Sequence, residues 1–313
     1  MTRVAAVGEC MLELRHVNHE TLALGFGGDT LNTAVYLARC GRRDGIQVDY
    51  VTALGDDPYS EAMIEAWRRE GIGTDRVVRL RGRHPGLYLI RTDEAGERSF
   101  TYYRSESAAR DMFRVAGARL DESLSEYDLV YLSGITLSIL DAPSRERLWT
   151  ALDAVRDAGG RVAFDTNYRP WGWPDAEASR LAVRRTLERT DIALPTLDDE
   201  RQLFGDDDED ACVERLLSVG CQEVAVKLGA DGTFVATRGG RWRVPAATPD
   251  RVVDTTAAGD AFNGAYLAVR MANGDPESAA IVGNRLAAVV IGHAGAVIPA
   301  AAMPHAAPPS PSR

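Results

Sequence analysis

Several features that mark common protein classes are missing from this sequence. It has only four cysteines, and none of them has the C-x-x-C spacing of metal or redox sites: Cys10, Cys40, Cys212 and Cys221. We interpret them as buried thiols in a reducing compartment. No apolar run approaches the roughly 20 residues needed to cross a bilayer, and the first residues lack the basic flank and cleavage site of a signal peptide. These absences predict a cytoplasmic protein without a membrane partner.

Positive charge is also scarce. The chain has 36 lysines and arginines against 46 acidic residues, which gives a formal net charge of −10. Nucleic acids and anionic membranes bind basic faces, so this balance argues against both partners. The five histidines form no metal-ligand cluster in the sequence. A G-x-x-x-x-G-K-[ST] loop and a G-x-G-x-x-G after the first strand are both absent, which argues against P-loop enzymes and ordinary dinucleotide binders.

Short apolar runs alternate with helical patterns along most of the 313 residues. The predicted strands are 4–7, 48–53, 129–132, 162–164, 192–194 and 224–226. The predicted helices between them are 30–39, 59–69, 144–158, 176–189 and 210–219. This alternation predicts an α/β fold with a mostly parallel central sheet flanked by helices.

One region departs from this alternation. Residues 86–92 and 98–104 are β-prone segments joined by a polar turn with a glycine, which predicts an antiparallel hairpin. Because side chains alternate along a strand, Phe100, Tyr102 and Arg104 share one face. A hairpin inside an α/β chain predicts a small β-sheet lid that covers one end of the main domain.

The strongest motif is a run of small residues before a helical pattern, Asp254-Thr-Thr-Ala-Ala-Gly-Asp260. Small residues let backbone N–H groups approach an anion, and a helix N-terminus adds partial positive charge, so the run predicts an anion hole for a transferred phosphate. A carboxylate at this position is stabilised as the anion, so we expect Asp260 to stay ionised and to accept the proton of an attacking hydroxyl. A lone Gly-Asp is more often only an N-cap. The complete run, with a second aspartate six residues earlier, favours phosphoryl transfer.

Over residues 4–304 the chain resembles the ribokinase-like (PfkB-type) carbohydrate kinases. The motif that ends at Asp260 is similar to the family's D-T-x-x-[AG]-G-D, and Gly25-Phe-Gly-Gly-Asp-Thr-Leu-Asn32 resembles its sugar-binding Gly-Gly-x-x-x-Asn segment. Further segments are similar to the branch that phosphorylates 2-keto-3-deoxy-D-gluconate: 85–88, 102–104 and 164–170. The resemblance implies a ribokinase-like kinase domain over 1–303, lid strands from about 10–26 and 85–105, and a disordered tail at 304–313.

The resemblance also implies a role for each matching residue. Asp260 would be the catalytic base, beside an anion hole formed by the amides of Ala257, Ala258 and Gly259. The implied substrate-binding residues are Gly28, Asp29, Thr30, Asn32, Tyr88, Tyr102, Arg104, Arg169 and Asp260. The implied nucleotide-binding residues are the anion hole with Asn167, Arg169, Lys227, Gly229, Asp231, Gly232 and Asn284. The implied cofactors are ATP and Mg²⁺, while a monovalent cation and a homo-oligomer are left open.

Two arginines bear on the kind of sugar. Arg104 and Arg169 suit a carboxylate, because arginine pairs bidentately with planar anions and a neutral sugar needs only hydroxyl partners. We therefore expect phosphorylation of 2-keto-3-deoxy-D-gluconate at its 6-hydroxyl, which gives the 6-phosphate and ADP. Another sugar kinase of the family (fructokinase, ribokinase or a kinase of another keto-acid) and a non-catalytic sugar-binding regulator are the alternatives. In structural terms, Arg104 on the outer face of the hairpin and an ion pair between Asp165 and Arg169 are the competing interpretations.

The expected metal site departs from the family pattern. Many members carry Asn-x-x-Glu, whereas this chain has Leu197-Asp-Asp-Glu200 and so lacks the asparagine. Glu200 is therefore the predicted Mg²⁺ residue, acting through water, with help from Asp165 or Asp198. An acidic first turn of a helix is the alternative explanation of this segment.

Overall fold

The fold is described by a computed structural model that covers residues 1–18, 20–92, 98–114 and 120–304. The turn predicted between residues 92 and 98, and all of the predicted tail except Pro304, lie outside these ranges. Within them, every helix is too short or too polar to span a bilayer.

Thirteen strands and ten α-helices make up the described part of the chain. In chain order the strands are β1 (Thr2–Val7), β2 (Met11–His16), β3 (Leu22–Gly27), β4 (Ile46–Leu54), β5 (Val77–Arg79), β6 (Leu87–Thr92), β7 (Arg98–Tyr103), β8 (Leu129–Ser133), β9 (Arg161–Asp165), β10 (Ile192–Ala193), β11 (Glu223–Lys227), β12 (Thr233–Thr237) and β13 (Gly240–Val244). The helices are α1 (Asp29–Gly41), α2 (Pro58–Arg69), α3 (Leu120–Ser123), α4 (Gly134–Ile139), α5 (Ala142–Asp157), α6 (Ala176–Leu187), α7 (Leu197–Phe204), α8 (Glu209–Ser218), α9 (Ala258–Met271) and α10 (Pro276–Val290).

The main sheet has nine strands in the order β13-β12-β11-β10-β9-β8-β1-β4-β5. Neighbouring strands from β11 to β5 are parallel to one another. The pairs β11–β12 and β12–β13 at one edge are antiparallel. The predicted strands and helices are all present, and each end differs from its prediction by at most two residues. The predicted fold class, a mostly parallel α/β sheet with a small separate sheet, is confirmed.

Both faces of the main sheet are buried, and β1 shows how. Val4 and Ala6 pack into a core with apolar residues of α1, α2, α9 and α10, whereas Ala5 and Val7 pack into the opposite core with residues of α5 to α8. Successive side chains of a strand point to opposite faces, so a continuous apolar run fills both cores at once. This explains why the strand sequences lack a polar alternation.

The second sheet has four strands in the order β3-β2-β6-β7. β2 pairs in parallel with β6, and the outer pairs β2–β3 and β6–β7 are antiparallel. The predicted hairpin is therefore β6 and β7, extended by two strands from nearer the N-terminus. Only Gly8, Glu9 and Cys10 separate β1 from β2, so the chain crosses from the main sheet to the second sheet in three residues. We call this second sheet the lid.

Candidate active site

Asp260 lies in the first turn of α9, where α9 meets the first turn of α1. Asn32 Nδ2 donates a hydrogen bond to Asp260 Oδ2 at 2.8 Å. Ala257, the residue before α9, has the left-handed φ of 60° that turns the chain into the helix. Asp254 holds the start of the motif, because its carboxylate accepts hydrogen bonds from the N–H groups of Thr256 (3.1 Å) and Gly295 (2.7 Å).

The protonation of Asp260 differs from the expectation that the helix N-terminus keeps it ionised. Burial, with repulsion from Asp29 and Asp165, raises the pKa of Asp260 to about 7. The hydrogen bond from Asn32 and the charge of Lys227 oppose this rise without cancelling it. Loss of water around a carboxyl group costs more than a helix terminus returns, so the prediction of a permanently ionised carboxylate was wrong.

The predicted anion hole lies in the turn before α9. The first N–H groups of a helix have no partners within the helix. The Ala258 N–H approaches the Thr255 carbonyl oxygen at 3.3 Å, a long and weak contact. A Cβ on Gly259 would lie 3.6 Å from Lys227 Nζ, so the lysine ammonium lies next to this turn. The roles of Ala257, Ala258 and Gly259 as phosphate ligands stay a prediction.

Lys227 belongs to a buried polar network next to the turn. Its Nζ donates to Asp165 Oδ2 at 2.6 Å and to Asn263 Oδ1 at 3.2 Å. Asn263 Nδ2 donates to the same oxygen of Asp165 at 2.7 Å and to the Tyr131 hydroxyl oxygen at 3.2 Å. The lysine is thus a buried ion-pair partner at the end of β11 and not a solvated strand end. Its ammonium lies next to Gly259, and its predicted role along the nucleotide stays a prediction.

The competing interpretation of Asp165 and Arg169, an ion pair between the two, is wrong. Asp165 pairs with Lys227, and Arg169 Nη1 instead lies 3.3 Å from Asp199 Oδ1. Asp199 also accepts the Tyr168 N–H at 3.2 Å, and burial raises its pKa although Arg169 opposes the rise. The Arg169 side chain keeps 42% of its surface exposed, so its guanidinium is available to a ligand.

The Gly-Gly-Asp-Thr segment meets the residues after β9. Asn167 Nδ2 donates to Asp29 Oδ2 at 2.7 Å, and the Asn167 N–H donates to Asp165 Oδ1 at 3.1 Å. Gly28 has no room for a side chain, because a Cβ there would lie 2.2 Å from the Glu9 carbonyl oxygen. Thr30 is fully buried, with its hydroxyl 3.0 Å from that of Tyr50. The predicted substrate contact of Thr30 is therefore corrected: this side chain packs α1 against the main sheet.

The lid supplies the aromatic residues and Arg104. Tyr102 stacks on Trp171, with ring centroids 4.6 Å apart, and Trp171 lies in the loop after β9. Tyr88 donates to Glu13 Oε2 at 2.6 Å and packs against Tyr102. Burial raises the pKa of Tyr102, whereas the charges of Arg104 and Arg169 lower it, so both guanidinium groups act on the same ring.

Arg104 does not lie on the outer face of the hairpin. Its side chain is only 11% exposed, and its Nη2 forms an ion pair with Glu9 Oε2, whose side chain is 1% exposed. The inward position of Arg104 favours a role at the site over a solvated one.

The expected nucleotide side lies around β11 to β13 and α10. Gly229 and Gly232 have left-handed φ values of 60° and 92°, and a Cβ on Gly232 would lie 2.2 Å from the Val244 carbonyl oxygen. Asp231 is exposed in the same turn. A groove of about 270 Å³ next to these elements is lined by Val244, Pro245, Ala247, Ile281, Asn284 and Arg285, among others.

Asn284 lines this groove but its amide is already bound. Its Nδ2 donates to the carbonyl oxygens of Val244 (3.2 Å) and Pro245 (3.1 Å), and its Oδ1 accepts the Thr233 hydroxyl at 2.8 Å. Asn284 thus fixes the wall of the groove, and its predicted role in nucleotide binding stays a prediction.

Glu200 is buried away from solvent in an ion pair. Arg215 Nη2 donates to Glu200 Oε2 at 2.6 Å and to Asp206 Oδ2 at 2.6 Å. Burial raises the pKa of Glu200 to about 7 although Arg215 opposes the rise. A carboxylate oxygen of Glu200, one of Asp206 and the Cys212 Sγ lie within 4.8 Å of one another. A thiol and a guanidinium do not suit Mg²⁺, which prefers oxygen ligands.

A direct Mg²⁺ bond from Glu200 therefore does not fit, and its role through water stays a prediction. Of the two residues predicted to help Glu200, Asp165 pairs with Lys227. The other, Asp198, is 86% exposed and bonds to Arg201. Asp199 is the residue of that turn that faces the site.

Five residues near the site were not predicted from the sequence: Glu9, Glu13, Trp171, Asp199 and Asn263. Two of them had a usable signal. Glu9 follows the first predicted strand at its carboxyl end, where parallel sheets bind ligands, and Asn263 lies three residues after Asp260 on the same helix face. Glu13, Trp171 and Asp199 had none, because their partners come from distant segments.

Comparisons with known proteins find similarity to carbohydrate kinases over almost the whole chain. The model of the pfkB family carbohydrate kinases matches residues 1–303. The chain is 46% identical over 305 residues to the 2-dehydro-3-deoxygluconokinase of Dickeya dadantii (strain 3937), covering 96% of this chain and 98% of that protein. It is 45% identical over 306 residues to the 2-dehydro-3-deoxygluconokinase of Escherichia coli (strain K12), covering 96% and 99%.

A solved structure shares the architecture. Aminoimidazole riboside kinase from Salmonella enterica, complexed with aminoimidazole riboside and an ATP analog, superposes with a TM-score of 0.81 at 25% identity, covering 94% of this chain and 95% of that one.

Proposed function

This chain belongs to the pfkB family of carbohydrate kinases, and from that premise we propose that it transfers the γ-phosphoryl group of ATP to the 6-hydroxyl of 2-keto-3-deoxy-D-gluconate. The identity of 45–46% to 2-dehydro-3-deoxygluconokinases over 96% of the chain carries this proposal. The products are the 6-phosphate and ADP. Asp260 is the general base, and Arg104 and Arg169 receive the carboxylate of the sugar acid.

The geometry around Asp260 supports an in-line transfer. The 6-hydroxyl gives its proton to Asp260 while its oxygen attacks the γ-phosphorus, and the bond from that phosphorus to the β–γ bridging oxygen breaks as ADP leaves. Asn32 holds the Asp260 carboxyl group at 2.8 Å. The N-terminus of α9, with Lys227 next to it, stabilises the negative charge of the transferred phosphoryl group.

We propose that Glu200 contacts Mg²⁺ through water and is not a direct ligand. When bound with ATP, Mg²⁺ supplies charge neutralisation of the β- and γ-phosphate oxygens. The pairing of Glu200 with Arg215 supports contact through water and not a direct bond. We also infer that the reaction takes place in the cytoplasm, where ATP is available.

The substrate preference rests on charge. The net charge of the chain is −10, so an anionic substrate needs local cations. Arg104, beneath the lid, and the exposed Arg169 supply them close to Tyr102. A fructokinase or ribokinase has no need of two guanidinium groups there, so we favour the acid over a neutral sugar.

The deciding test is an ADP-release assay of the purified protein with ATP, Mg²⁺ and a panel of sugars. The acid should be turned over with a higher kcat/KM than ribose, fructose or other keto-acids. Arg104→Leu should raise the KM for the acid by about tenfold or more, the loss of one charge-assisted contact, and leave KM for any neutral sugar nearly unchanged. Brisk turnover of ribose or fructose with none of the acid would refute the substrate assignment.

The variant Asp260→Asn distinguishes a kinase from a non-catalytic sugar-binding regulator. This change keeps the shape of the side chain and the bond from Asn32 but removes the base. We expect it to abolish nearly all turnover while ATP binding, measured by calorimetry, is retained. An unchanged rate would exclude Asp260 as the base.

A further inference from the structure

Arg104 is held by a carboxylate that belongs to the crossing between the two sheets. Glu9 lies between β1 and β2, and Arg104 directly follows the lid strand β7. Their ion pair joins Glu9 Oε2 to Arg104 Nη2, and the two side chains are 1% and 11% exposed. The pair therefore ties the end of the lid to the point where the chain leaves the main sheet.

Two glycines lie close to this pair. A Cβ on Gly86 would lie 2.8 Å from Glu9 Oε1 and 3.2 Å from Arg104 Cβ. Gly28, in the predicted sugar-binding segment, has its missing Cβ 2.2 Å from the Glu9 carbonyl oxygen. Glu9 thus touches the glycines on which both the lid and the sugar-binding turn depend.

The pairing is incomplete in a way that matters for a ligand. Among the residues that the structure describes, Glu9 Oε1 and Arg104 Nε are buried and have no hydrogen-bond partner. Unpaired buried polar atoms are costly, and they persist where a ligand or a mechanism uses them. Arginine has five N–H donors, and the structure pairs one nitrogen of Arg104 with Glu9, which leaves donors for a second anion.

The buried Glu9 carboxylate neutralises part of the positive charge that Arg104 would offer to an anion. In return the carboxylate orders the arginine, because a free arginine side chain loses rotamer entropy when it is fixed. A guanidinium already held by Glu9 loses less on binding, so more of the contact energy is available to the substrate.

We propose that Glu9 is a positioning residue for substrate binding: it holds Arg104 so that the remaining guanidinium donors face the carboxylate of the sugar acid. The proposal rests on the proposed function, since it needs an acidic substrate. Glu9 acts through Arg104 and takes no part in phosphoryl transfer. Its removal must therefore change KM for the acid much more than kcat.

The test is a double-mutant cycle on KM for 2-keto-3-deoxy-D-gluconate, with Glu9→Ala, Arg104→Leu and the double variant. We expect E9A to raise KM by about tenfold, the loss of one charge-assisted hydrogen bond, with kcat changed by less than about threefold. The double variant should have the KM of R104L alone, because Glu9 has nothing to hold once Arg104 is gone. Glu9→Gln, which keeps an acceptor oxygen, should restore KM to within about fivefold of the wild type.

Glu223→Gln is the matched control. Glu223 is also a buried carboxylate paired with an arginine, Arg270, at 2.6 Å, and it contacts Tyr266 and not the site. It should lower the melting temperature and leave KM for the acid unchanged. If E9A does not fold, the cycle is run with Glu9→Met, which has a similar length but no charge and no acceptor oxygen, and the same loss of additivity with R104L is expected.

Two results would overturn the proposal. One is an E9A enzyme, or the Glu9→Met enzyme that replaces it, with the wild-type KM for the acid. The other is a double variant whose KM equals the product of the two single effects, which would mean that Glu9 acts independently of Arg104. A wild-type enzyme that does not use the acid at all would instead refute the proposed function, so the two failures are distinguishable.

Discussion

At the scale of single residues, the environment of Asp260 changes what its position at a helix terminus implies. Three carboxyl groups, Asp29, Asp165 and Asp260, act on one another near the start of α9, and burial raises the pKa of Asp260 to about 7. A general base works best when its pKa is close to the working pH. The raised pKa therefore strengthens the assignment of Asp260 as the base, although it contradicts the reason first given for it.

The pH dependence of the rate tests this pKa. For the wild type we expect kcat/KM for the acid to rise with pH, with a midpoint at about pH 7, and then to level off as Asp260 loses its proton. Asp29→Asn should move the midpoint to lower pH, because the charge of Asp29 helps to raise the pKa. Initial rates at low substrate concentration between pH 5 and pH 9 measure both. A wild-type midpoint at or below about pH 5 would contradict the raised pKa.

The raised pKa of Asp260 also predicts that the folded chain becomes less stable as the pH rises. The pKa of Asp260 is higher in the folded than in the unfolded chain, where it is close to 3.8. Its contribution to stability is therefore complete below about pH 4 and is lost as the pH rises towards and through 7.

Asp260→Asn, which carries no charge, should thus be more stable than the wild type at pH 8, by on the order of 1–3 kcal/mol. The gain should be smaller at pH 5, as measured by urea denaturation. A variant that is less stable than the wild type at pH 8 would show that the ionised form is not the costly one.

At the scale of elements, the contact between the lid and the main domain is made by aromatic rings. Tyr102 of β7 stacks on Trp171 of the loop after β9, with ring planes 24° apart. The loop also carries Arg169, so the lid rests on the segment that reaches the predicted ligands. A lid that excludes water limits the transfer of phosphate to water.

Trp171→Ala should weaken this closure. An aromatic pair contributes about 0.5–1.5 kcal/mol beyond its buried area, so KM for the acid should rise by about two- to tenfold. ATP hydrolysis without sugar should increase relative to transfer. Trp171→Phe keeps a ring for Tyr102 and is the control expected to stay near the wild type. Equal coupling of ATP use to product in W171A and the wild type would argue against the lid contact.

At the scale of the whole molecule, the site exists only when distant parts of the chain meet. Asn32 and Asp260 are 228 positions apart in the sequence, and the buried network of Asp165, Lys227 and Asn263 joins β9, β11 and α9. Ligand binding should therefore stabilise the folded chain as one unit, because the unfolded chain has no such site.

Thermal unfolding with each ligand tests this coupling. The acid at about 100 times its Kd should add about 2.7 kcal/mol to the free energy of unfolding and raise the melting temperature by a few degrees. At the same concentration, Arg104→Leu with a Kd about tenfold higher should keep only about 1.4 kcal/mol of the stabilisation by the acid, roughly half, and should keep the full shift with ATP. If R104L responds to the acid as the wild type does, Arg104 is not part of the acid site.

Local sequence patterns determined the fold class, the main strands and helices, and the motif around Asp260. Apolar runs, helical periodicity and small residues before a helix act over a few neighbouring positions, so they can be read without knowing the rest of the structure. The types of residue in the site follow from the same segments. Asp165 and Lys227 lie at the carboxyl ends of β9 and β11, directly after the predicted strands 162–164 and 224–226.

Only the tertiary structure decided which charged side chains form ion pairs and how their pKa values shift. Asp165 pairs with Lys227, Arg169 with Asp199, and Arg104 with Glu9, and none of these pairs is close in sequence. The pKa of Asp260 depends on burial and on carboxylates from other segments. Desolvation and charge pairing are set by distances in space, and a sequence pattern fixes only distances along the chain.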